Sequence, residues 1–326
     1  MKDLIILGNG MAGMTAALYA KRANLDFKII GRDEFNFGQI GNAILVENYP
    51  CADKMTGFDL AMKLHDQLTE DGTEIEERNI TRVMKCFEPV ESLGYKPPYY
   101  LIEYEDGMFD YAKTVIYALG ARHRELPCPV EAGIPIHYCA LCDGALYKGK
   151  TVAIIGGGDV AFTQAEYLSN ICKQVNIIMC DRNITASPST VDRVKKLSNI
   201  SVYYDFVISE ITMNKFSITD NNEEHKIVMF RQAPDDGKAR LLAKSADGIF
   251  VAIGMIPNTK FLTDDFFNIV DKSGYLIADE DCACLMTPGF YAAGDVRKKS
   301  LRQSITAAAD GANAVNSAIK YLRGLE

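Results

Sequence analysis

The chain opens on a short apolar run, Leu4-Ile-Ile-Leu7, that breaks at Gly8-Asn-Gly10-Met-Ala-Gly13. Apolar positions then recur with helical spacing from Met14 to Ala23, and a second apolar run follows from Phe27 to Ile30. Strand, glycine turn, helix and strand make the opening of a βαβ unit. The pattern returns later, with Thr151 to Ile155 as strand, Gly156-Gly-Gly158-Asp-Val-Ala161 as turn, Phe162 to Ser169 as helix and Val175 to Met179 as the second strand. This repetition predicts an α/β protein with two Rossmann-like, three-layer nucleotide-binding domains. Two further apolar strands stop at glycine, Val115-Ile-Tyr-Ala-Leu-Gly120 and Ile249-Phe-Val-Ala-Ile-Gly254. They mark where the chain leaves the first domain and returns to it. The expected division is a first domain of residues 1–120 and 249–326, with a second, 121–248, inserted into it.

Composition narrows the function classes. With 326 residues the chain is long enough for about two domains, each with a core of its own. At 48% hydrophobic and 24% charged residues it has an ordinary globular balance, and it contains no apolar stretch of the ~18 residues needed to span a bilayer. A net charge of −8 argues against general binding to nucleic acid or anionic membranes. The nine cysteines, scattered behind an N-terminus with no secretory pattern, fit a reducing cytoplasmic location. In that setting a close cysteine pair is more often catalytic or metal-binding than structural.

Three stretches carry chemistry. In the first glycine loop, Gly8 allows the tight turn, Gly10 lets the backbone approach a pyrophosphate and Gly13 permits close helix packing. The helix start there offers amide donors and a positive dipole end to the same anion. Because the following strand ends in Gly31 rather than an acid, Asp33 or Glu34 would reach a ribose only after a short loop. Further on, Gly289-Phe-Tyr-Ala-Ala-Gly294-Asp295 ends a strand in Gly-Asp, which holds a carboxylate against a cofactor hydroxyl unless Asp295 is a plain turn residue. The third stretch, Cys139-Ala-Leu-Cys142-Asp143-Gly144, can close a small, reducible disulfide. Its rival reading is half of a zinc site. The Cys282-x-Cys284 pair and the four dispersed histidines do not complete such a ligand set, so no metal is expected.

On Gly8 to Gly13, Val46-Glu-Asn48-Tyr-Pro50, Cys139 to Gly144 just before the second glycine loop, Gly294-Asp295 and Arg302-Gln303-Ser-Ile-Thr306, the chain resembles the low-molecular-weight thioredoxin reductases over essentially its full length. The resemblance implies FAD in the first domain, with Gly8, Gly10, Met11, Ala12, Gly13, Gln39, Asn48, Gly120, Gly294, Asp295, Arg302, Gln303 and Ser304 as its contacts. It also implies a pyridine-nucleotide type of inserted domain carrying the redox pair, a homodimer, and thioredoxin as partner. Under it, Cys142 faces the flavin, Cys139 attacks the substrate disulfide and Asp143 handles protons.

One departure bears on the electron donor. Where the family's NADPH enzymes carry His-Arg-Arg-x-x-x-Arg, this chain has Met179, Cys180, Asp181 and, for the last arginine, Thr185. Arginine forks recognise phosphate, and a cysteine-aspartate pair does not, so strong NADPH binding is not expected. Asp181 would suit an NADH ribose, but it lies two residues past the strand end. Arg182 alone speaks for phosphate. The cluster Arg297, Lys298 and Lys299 instead suggests a basic patch near the flavin that steers an acidic iron-sulfur protein. With that feature the chain resembles the ferredoxin-dependent flavin thioredoxin reductases, and reduced ferredoxin is the expected donor. The alternatives are an NADH- or NADPH-dependent thioredoxin reductase with an atypical nucleotide pocket, and a flavin-binding redox sensor. Cys51, Cys86, Cys128, Cys172 and Cys180 are expected to pack as small apolar residues, and Cys282 and Cys284 are left without a role.

Overall fold

Lys2–Leu7 lies inside a parallel sheet because both faces of Leu4, Ile5, Ile6 and Leu7 are covered, which suits a continuous apolar run rather than an alternating one. The structure is a computed structural model, and it describes all residues except 44, 45, 47, 71, 90–97, 216–218, 221, 222, 232–242 and 326. Two compact units result, Met1–Arg122 with Ile256–Glu326, and His123–Met255. No helix among the described residues is long and apolar enough to cross a membrane.

In the first unit the sheet order is Ile75–Glu77, Phe27–Gly31, Lys2–Leu7, Phe109–Tyr117, Tyr99–Tyr104, Ile80–Cys86. The second half of Phe109–Tyr117 also pairs in parallel with Phe290–Ala292. The carboxyl ends of four parallel strands, at Leu7, Gly31, Tyr117 and Ala292, therefore share one edge, where ligands of open α/β sheets collect. Helix Met11–Arg22 packs between this sheet and the final helix, Ser304–Arg323. Small residues make the approach possible: a Cβ on Gly311 would sit 2.2 Å from the carbonyl oxygen of Ala12. Gln303 caps the final helix reciprocally with Thr306, and Lys320 and Arg323 complement the dipole in its last turn.

The second unit holds a parallel sheet in the order Ile200–Tyr203, Gln174–Ile178, Thr151–Ile155, Gly248–Val251, Ile136–His137. Helix Asp159–Ser169 covers one face, and the three-stranded antiparallel layer Ile208–Met213, Ile227–Arg231, Ala243–Ala246 accompanies the sheet. One expectation is corrected here. The expected return to the first domain at residue 249 falls later, since His123–Met255 forms the second unit and Gly248–Val251 pairs with Val152 to Ile155 inside its sheet. The apolar run reads equally well as a last strand of either domain, and only the pairing partner decides. The chain re-enters the first unit later, where Asn258 donates its backbone N–H to Gly120 O and its side-chain amide to Leu119 O.

Candidate functional site

At the first glycine loop Gly8 has a φ of +106°, and a Cβ there would lie 2.5 Å from the carbonyl oxygen of Ala118 at the neighbouring strand end. A Cβ on Gly13 would lie 1.7 Å from Gly8 O, so the helix can start this close to the strand only with glycine. Gly10, the N-cap, is different: the nearest atom to a Cβ is Phe37 O at 3.4 Å, which leaves its face open. Helix Met11–Arg22 has no acid in its first turn to compete with a phosphate. Gln39 donates to Ala121 O at 2.6 Å and to Asp295 Oδ2 at 3.3 Å, and Asn48 donates to Gln303 Oε1 at 3.1 Å. Arg302 reaches the Asp295 carbonyl at 3.4 Å and lies over the Tyr275 ring. Gly294 takes a φ of +78° with Ala12 Cβ 3.0 Å from its own added Cβ position, and Gly120 takes +65°. Ser304 begins the helix capped by Gln303. The sequence-derived contact residues thus gather at one edge of the first sheet; Glu47 of the Val46–Pro50 motif lies outside the described residues.

Two atoms test whether this edge suits a dinucleotide. Asp295 is half-buried, and desolvation pushes its carboxyl above the ordinary range against the pull of Lys299 and Arg302, while its Oδ1 atom is buried with no hydrogen-bond partner. A buried carboxylate oxygen in that state is an acceptor waiting for a ligand hydroxyl. The face of Gly10 supplies the open approach that a pyrophosphate needs. The ribose end is less simple. Glu34 is held by His65 Nε2 at 3.0 Å, while Asp33 accepts the Phe35 amide and lines an open cavity of about 330 Å³ with Phe37, Gly38 and Phe58. Asn9 explains why the strand ends in glycine rather than acid: its side chain lies where a Gly31 Cβ would go, 2.7 Å away, and donates to Asp33 O and Glu34 O.

The cysteine pair sits in the second unit. Cys139 and Cys142 are joined as a disulfide with their Cα atoms 5.3 Å apart, and Cys139 caps the short helix Ala140–Asp143. The Cys142 amide donates to Cys139 Sγ at 3.2 Å, a contact that favours a thiolate on Cys139 once the bond is reduced. Asp143 is buried, with Oδ2 3.0 Å from His137 Nδ1, and His137 Nε2 is 2.7 Å from the Tyr147 hydroxyl.

At the second glycine loop the strand order and the turn repeat, but the polar surroundings do not. Cys180 and Asp181 are both exposed, and Asp181 accepts the Asn183 amide at 2.8 Å. Arg182, the remaining candidate for a 2′-phosphate, donates Nε to Asp205 Oδ2 at 2.6 Å. The expected basic patch is corrected by the structure. Arg297 and Lys299 turn inward, each 2.8 Å from the buried carboxylate of Asp310, and only Lys298, 65% exposed, faces solvent. Three consecutive cations cannot be sorted into buried and exposed from sequence when the matching acid lies more than ten residues downstream, inside a helix. Two cysteine expectations also change: Cys51 and Cys180 are exposed, whereas Cys282 and Cys284 are the buried pair, with thiols pushed up to about 12 by burial and therefore inert. Among the described residues no group of three or more His, Cys, Asp or Glu is arranged to hold a metal ion.

A family model for pyridine nucleotide-disulphide oxidoreductases matches residues 2–311. The chain belongs to that family. It is 36% identical over 325 residues to the 34.2 kDa protein in the rubredoxin operon of Clostridium pasteurianum, covering 99% of this chain and 97% of the relative. It is 35% identical over 332 residues to a thioredoxin reductase of Listeria innocua, covering 99% and 95%. The crystal structure of the thioredoxin reductase from Streptococcus pyogenes superposes with a TM-score of 0.80 at 32% identity, over 99% of each chain. The thioredoxin reductases of this family are flavoproteins, and FAD is their cofactor. Sequence reasoning missed Asn9, Asp310, His137 and Tyr147. A lone acid in the small-residue run Ala307-Ala-Ala-Asp310-Gly311 was the signal available for Asp310.

Proposed function

We propose that the chain is an FAD-dependent thioredoxin reductase that reduces a protein disulfide through Cys139 and Cys142. The observation that carries this reading is the disulfide at the start of the short helix, with the Cys142 amide on Cys139 Sγ at 3.2 Å. That contact favours Cys139 as the attacking thiolate and leaves Cys142 as the sulfur that exchanges electrons with the cofactor. FAD supplies the electron pair that opens the disulfide. Gly8, Gly10 and Gly13 would hold its pyrophosphate against the helix start, Asp295 Oδ1 would accept a cofactor hydroxyl, and Gln39, Asn48, Arg302, Gln303 and Ser304 would complete the cradle. Cys139 then attacks the partner disulfide, Cys142 resolves the mixed disulfide, and Asp143 handles the protons. The functional unit is a homodimer with an inserted pyridine-nucleotide type of domain.

The donor is reduced ferredoxin rather than NADPH. Its support is the phosphate side of the second loop, where Cys180 and Asp181 stand and Arg182 is committed to Asp205. The docking surface does not run through Arg297 and Lys299, which are occupied with Asp310. NADH is the second reading, favoured by the exposed Asp181 carboxylate beyond strand Gln174–Ile178. Anaerobic mixing of the oxidised flavoprotein with reduced ferredoxin, NADH or NADPH, each at micromolar concentration, decides between them by the rate at which the flavin absorbance bleaches. Rapid bleaching by ferredoxin and slow bleaching by both nucleotides is the expected result. Rapid bleaching by NADPH would overturn the donor reading while leaving the reductase reading standing.

A further inference from the structure

Behind the cysteine pair a line of three polar side chains crosses an otherwise apolar core. His137 ends the strand Ile136–His137 with its ring fully enclosed, packed against Phe250. Nδ1 of the ring is 3.0 Å from Asp143 Oδ2, and Nε2 is 2.7 Å from the Tyr147 hydroxyl. The other Asp143 oxygen, Oδ1, is buried without a hydrogen-bond partner. Tyr147 in turn reaches the wall of a cavity of about 330 Å³ that is also lined by Pro135, Lys150, Lys226 and Asp247. Its ring fits only because residue 248 is glycine: a Cβ there would lie 2.2 Å from a ring carbon. Polar groups are placed this deep in a core at a cost unless they are matched, and here each ring nitrogen of His137 is matched.

We propose that Tyr147, His137 and Asp143 form a buried proton relay between the exchanging cysteines and this cavity, in which Tyr147 and His137 pass the proton on to Asp143. The inference rests on the reading of Cys139 and Cys142 as the exchanging pair. The reduced protein begins as a Cys139 thiolate and a Cys142 thiol. Attack on a disulfide breaks the partner's S–S bond, forms a mixed disulfide and expels one thiolate. Cys142 loses its proton, attacks Cys139 and expels the second thiolate. Two leaving thiolates become thiols with one proton from Cys142 and one from outside, and the relay delivers the second. Burial, with the charges of Asp143 and Asp247, pushes the Tyr147 hydroxyl up, so it remains a hydroxyl that can both donate and accept. Around the cavity end, the titratable groups facing Tyr147 are Lys150, whose Nζ lies 5.8 Å from the ring centroid, Lys226, and Asp247, itself 3.4 Å from His225.

The relay matters only when the leaving thiolate needs a proton, and this gives the test. Pre-reduced holoprotein is mixed in single turnover with hydroxyethyl disulfide, whose leaving group is a basic thiolate, or with dithiobis(nitrobenzoate), whose leaving group is stable as the anion. The readout is the ratio of the two rates across pH. General acid assistance of this type contributes on the order of a hundredfold or more, so His137→Phe and Tyr147→Phe should lower the ratio by at least about tenfold. His137→Asn keeps a donor near the Nδ1 position but conducts no proton, and it should lower the ratio as far as phenylalanine does. If asparagine restores the wild-type ratio, His137 only orients Asp143 and the relay is overturned. An unchanged ratio in all three variants, with either rate, overturns it as well. Failure of the wild-type dithiol to reduce either disulfide would instead defeat the reading of Cys139 and Cys142.

Discussion

Replacing Asp310 with alanine removes a buried carboxylate on which three donors converge: Arg297 Nη1 and Lys299 Nζ at 2.8 Å each, and the Gly294 amide at 3.0 Å. The two cations are 14% and 11% exposed, so water can replace little of what is lost. Breaking a buried pair by deleting one partner costs about 3–5 kcal/mol, because the remaining charge is left desolvated. Some exposure remains, and the lower end, about 3 kcal/mol, is the expected loss in urea unfolding followed by far-UV circular dichroism. Asp310→Asn keeps an acceptor for the Gly294 amide and should lose less. Raising the salt to about 0.5 M should leave the difference in place, since burial shields the group from screening. Lys298→Ala, at 65% exposure and 3.8 Å from Asp271, should stay within about 0.5 kcal/mol of wild type. If Asp310→Ala also changes stability by less than about 0.5 kcal/mol, the inward orientation of Arg297 and Lys299 is wrong, and a solvent-facing basic patch returns to consideration.

Cys139→Ser and Cys142→Ser should each abolish reduction of a protein disulfide while retaining a full complement of flavin, because the FAD cradle lies in the other unit; thioredoxin reduction by Cys139→Ser at the wild-type rate would refute its role. Gly13→Ala meets Gly8 O at 1.7 Å and should prevent the loop from forming, whereas Gly10→Val meets no atom closer than 3.4 Å at Cβ and should give a folded but colourless protein; flavin retained by both variants would remove the loop from the cofactor site. For Asp295 the sign runs from its raised carboxyl: the folded state disfavours the charge, so the associated stability is present at acid pH and is lost as pH rises through the folded-state value. Asp295→Asn should therefore make the flavin-free protein more stable than wild type at pH 7, with the gap closing on acidification, while weakening FAD about ten- to a hundredfold through the lost charged acceptor. A flavin-free wild type that matches the variant at pH 7 would contradict the buried charge.

Much of the fold was legible because parallel strands covered on both faces leave continuous apolar runs, and Leu4 to Leu7 and Val152 to Ile154 are such runs. The glycine loops were legible for the same physical reason that makes them necessary, namely the absence of room for a Cβ at Gly8 and Gly13. Strand partnership was not: nothing in Ile249-Phe-Val251 states that its neighbour is Thr151–Ile155. Side-chain direction was also hidden. Lys298 and its two neighbours alternate between solvent and Asp310, and the alternation depends on a helix far along the chain. His137 and Tyr147 were invisible for a related reason. Ten residues separate them, and only the turn of the chain through Cys139–Gly144 brings a hydroxyl to within 2.7 Å of the ring.

The two glycine loops separate what such motifs report from what they bind. Gly8 and Gly156 both have positive φ, and an added Cβ would lie 2.5 and 2.4 Å from the carbonyl oxygens of Ala118 and Ala252, so the backbone solution is the same in each. The glycines are fixed by strand-to-helix geometry, and that requirement persists whether or not a nucleotide is present. Ligand choice must then be written in the polar atoms around the loop. At the first loop those atoms are an unpartnered buried Oδ1 on Asp295, an open face at Gly10 and a helix start free of acids. Around the second, Arg182 is already neutralised by Asp205, Cys180 and Asp181 are exposed, and Met179 lies against Gly157, with its Cε 2.5 Å from where a Cβ would be. Under the proposed reading, a 2′-phosphate brought there would meet the exposed Asp181 carboxylate, and Arg182 would have to leave Asp205 to reach it. The second unit therefore carries the cysteines on a nucleotide-type frame whose polar surroundings differ from those of the first loop, and this is why the donor has to be tested apart from the fold.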